Sequence, residues 1–76
     1  MINVMSMNQN DTVLARTRHT EQEDADFAFD LMLKAVHPRP SMWTLTINPN
    51  VMVASLPTGV FGRGGARCVR MEVDHA

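Results

Sequence analysis

One cysteine, Cys68, is the whole thiol content of this 76-residue chain. An internal disulfide is excluded, and with it the small secreted scaffold that depends on such staples. The usage suits a reducing, cytoplasmic setting. Long apolar runs are also missing. No stretch approaches the roughly 18–20 consecutive apolar residues of a membrane-spanning helix, so no membrane partner is expected. The opening MINVMSMNQN holds no basic segment and no long apolar core, and does not read as a signal peptide. The Asn10-Asp11-Thr12 sequon then reads as chance, because it matters only in a secreted chain.

Motifs for catalysis and cofactor binding are equally scarce. Gly59 and Gly64 have the spacing of the two glycines in a Walker loop. Gly65 and Ala66 follow them, where that loop needs lysine and a hydroxyl. The segment also precedes an expected strand, whereas phosphate loops open a helix. His19, His37 and His75 fall in three separate elements without i,i+4 spacing, so no metal site is expected. Cys68 has Arg67 beside it and Arg70 nearby, which can lower a thiol pKa. No base is in register with it, and it reads as a structural thiol. Asp26 and Asp30 lie one turn apart on a solvated face, whereas catalytic carboxyls are usually shifted by burial. No catalytic residue and no cofactor are assigned, and the chain is expected not to be an enzyme.

The clearest positive signal is Thr20 to Val36, TEQEDADFAFDLMLKAV. Thr20 and Glu23 match the S/T-x-x-E capping box, and Glu21, Glu23 and Asp24 suit the positive end of a helix dipole. Pro38 stops the helix after His37. At 3.6 residues per turn, Ala25, Ala28, Phe29, Met32 and Val36 share one face, widened by Leu33 and Ala35, with Leu31 at its edge. Glu23, Asp26, Asp30 and Lys34 lie opposite, and Phe27 projects among these charges.

Short strands surround the helix. Ile2 to Met7 reads either as a short strand or as a frayed start, and Asn8 to Asp11 as a turn. Thr12 to Arg18 reads as a strand with Val13, Ala15 and Thr17 inward and Leu14, Arg16 and Arg18 outward. Pro38-Arg39-Pro40 is an extended connection. Met42 to Leu56 reads as a hairpin turning at Pro49-Asn50. That turn sets Ile47 opposite Met52, Leu45 opposite Ala54 and Trp43 opposite Leu56, all on one face. Thr58 to Gly65 is expected to be a mobile loop. Arg67 to Val73 is the last strand, with Val69, Met71 and Val73 inward, and Asp74 to Ala76 a tail. The expected fold is a single α+β domain of order β(β)αβββ: a small antiparallel sheet of three to five strands with one helix on one face. Its core is expected to be Phe29, Met32, Val36, Trp43, Leu45 and Ile47. The other sheet face stays open and carries Thr44, Thr46, Val51, Val53, Cys68 and Arg70.

Five of the eight acidic residues lie between Glu21 and Asp30, with arginines on either side of that block. The charge is thus polarised although the net value is only −1. The first functional reading is a small module that binds another protein through Glu23, Asp26, Phe27 and Asp30, since exposed aromatics are frequent hot spots. By analogy with small phage and mobile-element proteins that inhibit host machines, the expected role is an inhibitor of a host complex that handles nucleic acid, such as a CRISPR surveillance complex or a polymerase. An acidic helix could then compete with phosphate for a basic groove. A second reading is a nucleic-acid-binding module using Phe61, Arg63, Arg67 and Arg70, with Arg63-Gly64-Gly65 as a single RGG triplet. Against it stand a pI near 6.2 and the absence of a lysine cluster. A third is a homodimeric regulatory subunit paired through an edge strand or the open sheet face.

Overall fold

A computed structural model describes residues 1–74. The expected tail residues His75 and Ala76 lie outside the described residues. The elements are β1 (Ile2–Asn8), β2 (Val13–His19), α1 (Gln22–Val36), β3 (Thr44–Asn48), β4 (Val51–Ser55) and β5 (Ala66–Val73). Single 3₁₀ turns stand at Pro40–Met42 and Arg63–Gly65. All five strands pair antiparallel in the order β2-β1-β5-β4-β3. This is the expected α+β layout, with β1 as an ordered strand.

That first strand is an inner strand of the sheet, between β2 and the central β5. Alternation turns Ile2, Val4 and Ser6 toward the helix, and all three are buried. Ala54, Val69 and Met71 line the same face on β4 and β5, and Ala25 and Phe29 close the core from the helix. Val4 and Val69 are fully buried, each worth roughly 1.5–3 kcal/mol relative to exposure. Ala28, Met32, Leu33, Val36 and Trp43 pack around this centre half-buried.

The hairpin takes the expected register, Ile47 opposite Met52 and Leu45 opposite Ala54. The Asn8 side chain closes the β1–β2 turn. Its Oδ1 accepts from the backbone N–H of Asn10 at 2.9 Å and of Thr12 at 3.0 Å.

Several expectations are corrected. The helix begins at Gln22, with Glu21 at the N-cap and no capping side chain. The first helical hydrogen bond runs from Ala25 N–H to the Glu21 carbonyl, so Thr20 is one position too early to cap. Thr20 and Glu21 alone span the gap from β2, and the chain has no room to start the helix sooner. Ala35 is exposed, about 100° round the helix from Val36 and beyond the reach of the sheet. Met42 belongs to the 3₁₀ turn begun by Pro40 rather than to a strand. Leu45 and Ile47 are 51% and 66% exposed and are not core. They point to the helix side, but α1 lies over β1 and β5, and β3 is an outer strand past its edge. In β2 the register slips by one at Leu14, so Ala15 and Thr17 keep the inward side while Val13 joins the Met7 side.

Candidate functional site

Because α1 does not reach β3, a groove is left between the helix and the β3–β4 hairpin. At one end Leu33, Trp43, Leu45, Ala54, Pro38 and Pro40 line about 240 Å3 of open space, with Asp30, Lys34 and His37 at the rim. At the other end Ile47, Met52, Met71 and Val73 line about 190 Å3, with Gln22 on the helix side. Ala54 of β4 floors the first, and Met52 of β4 with Met71 and Val73 of β5 floor the second. Trp43 is fixed by an Nε1–H bond to the His37 carbonyl at 3.3 Å, and His37 N–H caps the helix on the Leu33 carbonyl at 2.9 Å. The indole is thereby held at the groove mouth.

The acidic residues singled out from sequence line the outer and groove sides of α1. Asp26 accepts from Gln22 Nε2 at 2.8 Å, and Asp30 meets Lys34 Nζ at 2.9 Å, both in solvent. These contacts offset the repulsion between the two carboxylates. Glu23 is exposed. Phe27 is 66% exposed on the outside of the helix, and Leu31, one turn on, is 50% exposed. The pair makes an apolar strip bordered by acids. Sequence reading placed Leu31 only at the edge of the core face and missed that pairing; the i,i+4 spacing was the available signal.

The arginines of the second reading do not converge. Arg67 is the extra residue of a bulge, where Met7 faces Cys68 and Asn8 faces Ala66. Bulges re-aim side chains, and here the guanidinium turns back into the preceding loop. Its Nη1 donates to the carbonyls of Pro57 and Val60, and it stacks 5.2 Å from the centre of the Phe61 ring. The loop expected to be mobile is thus braced from within. Gly62 also lets it approach the end of α1, because a Cβ there would come within 2.2 Å of Val36 Cγ1. Arg70 Nε lies 2.9 Å from Glu72 on the open face, although the contact is not aligned as a hydrogen bond and leaves that nitrogen without one. Arg63 is exposed in the 3₁₀ turn that leads into β5.

The open face holds every residue assigned to it. The register adds a row running Arg16, Met5, Arg70, Val53, Thr46 across all five strands, with Arg18 beside it. Most of the acids thus lie on the helix, while Arg16, Arg18 and Arg70 lie on the bare side of the sheet with Glu72 among them. Cys68 lies half-buried in this face, and burial together with Asp11 raises its thiol pKa against the pull of Arg70 and Arg67. The arginine effect read from sequence is present but outweighed. Among the described residues no three His, Cys, Asp or Glu side chains gather to hold a metal, and no helix is long and apolar enough to cross a membrane. No protein-family model matches the chain, and neither a curated protein nor a solved structure is found to be similar to it.

Proposed function

We propose that the chain is a non-enzymatic module that binds a basic, amphipathic surface of another protein. The observation that carries this reading is the apolar groove beside an acidic helix. Leu45 and Ile47, with half-buried Trp43, offer apolar area beside Asp30 at one end and beside Gln22, which holds Asp26, at the other. An apolar anchor from a partner fits the groove, and its basic flanks meet the carboxylates. Opposed potentials of this kind steer encounter and fix orientation. Phe27 and Leu31 extend the contact over the crest of the helix. A host machine that grips nucleic acid presents basic grooves of this sort. An inhibitor that occupies such a groove is therefore the form of the function most in keeping with the charge layout.

A nucleic-acid-binding reading keeps one specific support, the Arg16, Arg18 and Arg70 cluster on the open face. It replaces the loop surface of Phe61, Arg63 and Arg67. The two readings separate in one comparative capture from host lysate. Asp26→Lys with Asp30→Lys is expected to abolish capture of the partner, and Arg16→Glu with Arg18→Glu to leave it intact. Circular dichroism confirms that both variants fold. The opposite pattern, joined to salt-sensitive nanomolar binding of DNA or RNA, rejects the protein-binding reading, because phosphate contacts release counterions and weaken steeply with salt.

A further inference from the structure

The two edges of the sheet are protected very differently. β2 carries Arg16 and Arg18, and its register is broken at Leu14. Charges and bulges are the devices by which natural sheets block edge-to-edge pairing. β3 has neither. Its sequence, Thr44-Leu45-Thr46-Ile47-Asn48, contains no charge and no proline, and its register is regular from end to end.

The backbone direction of β3 follows from its neighbours. Leu56 N–H bonds the Arg67 carbonyl at 3.0 Å, and the Asn50 carbonyl accepts from Val73 N–H at 2.9 Å. Even-numbered residues of this segment thus turn their backbone groups toward β5, and odd-numbered ones toward β3. Val51, Val53 and Ser55 face Asn48, Thr46 and Thr44. The N–H and C=O groups of Leu45 and Ile47 are therefore those aimed at the free edge.

We propose that β3 is the interface of a symmetric homodimer, in which two copies pair antiparallel about a two-fold axis at Thr46. A two-fold contact requires a self-complementary patch. The strand alternates polar, apolar, polar, apolar, polar about Thr46, so each residue meets one of its own kind. Leu45 faces Ile47 of the second copy, and their edge-facing backbone groups exchange two hydrogen bonds on each side of the axis, four in all. The four apolar side chains cluster on the helix side, covering area that is more than half exposed in the single chain, so the dimer and a groove-bound partner compete for Leu45 and Ile47. Thr46 faces Thr46 across the axis as the non-hydrogen-bonded pair. No like charges meet, whereas the same arrangement at β2 would bring Arg16 and Arg18 of two copies together. The contact is only five residues long, below the usual size of a permanent interface, so the dimer exchanges with monomer.

Sedimentation equilibrium over protein concentrations up to about 1 mM tests this, with the purified chain alone. The mass is expected to rise from 8.5 kDa toward twice that value. Ile47→Lys, which gives β3 the protection that β2 already has, is expected to leave a folded monomer. Leu14→Lys on β2 is expected to dimerise as wild type does. A Thr46→Cys variant in a Cys68→Ser background is expected to form a disulfide between copies on mild oxidation. The Cα atoms of a non-hydrogen-bonded pair lie about 4.5 Å apart, within reach of a disulfide. Thr44→Cys, which faces Asn48 of the second copy, is expected not to link. A folded wild type that stays monomeric, a dimer untouched by Ile47→Lys, or cross-linking at Thr44 in place of Thr46 overturns the proposal.

Discussion

Cys68 shows at the scale of one residue how burial can outweigh charge. Two arginines lie close enough to favour the thiolate, yet desolvation in the sheet and the Asp11 carboxylate hold the proton on the sulfur. The thiol is therefore expected to alkylate with iodoacetamide more slowly than a free cysteine at neutral pH. Its rate should climb only above the ordinary thiol range. The linkage has a definite sign. A raised pKa means that the folded state holds the proton more tightly than the unfolded chain. That contribution to stability is complete below the unfolded thiol's pKa and is lost as pH rises through the folded one. A rate at neutral pH equal to or above that of the free thiol counts against this environment. The sequence could place Arg67 and Arg70 near the sulfur, because they are its chain neighbours. It could not show that Arg67 sits in a bulge and turns away toward Pro57 and Val60.

At the scale of elements, the start of α1 is a weak point that can be strengthened. Glu21 occupies the N-cap with extended backbone, φ −101° and ψ 135°, and makes no capping bond. Glu21→Ser supplies a short hydroxyl for the orphan N–H groups of the first turn. It is expected to add about 0.5–2 kcal/mol in thermal or urea unfolding, while Thr20→Ala is expected to change little. A large loss at Thr20 with no gain at Glu21 would restore the capping box. That box was legible as a pattern, but the two-residue connection from β2 shifts the helix past it. The hairpin register was legible from its turn out to Leu45 and Ala54, because turn and alternation agree on one pairing. The expected Trp43–Leu56 pair falls outside the ladder, which begins at Thr44 opposite Ser55. The hairpin's burial was not legible. Alternation tells which side of a sheet a residue faces, and for Leu45 and Ile47 that side was read correctly. Whether a helix lies above that side depends on strand order, and the order puts β3 outermost.

For the whole molecule, the strand order also explains the candidate site. Bringing β1 and β5 to the centre draws the helix over them and leaves the hairpin's helix-facing side partly bare. The acids were visible in sequence; the groove beside them was not, because its walls come from segments distant in the chain. The central claim is that a protein partner seats in this groove, and Trp43, the only tryptophan, stands at its mouth. Incorporating 5-fluorotryptophan gives one 19F resonance that reports on that position alone. Titration with the protein retained by wild type in the capture experiment is the direct measurement. The resonance is expected to shift saturably, and to stay unshifted with the Asp26→Lys, Asp30→Lys variant or with single-stranded nucleic acid. A partner that binds at full affinity while the Trp43 resonance does not move contradicts the groove as the docking site.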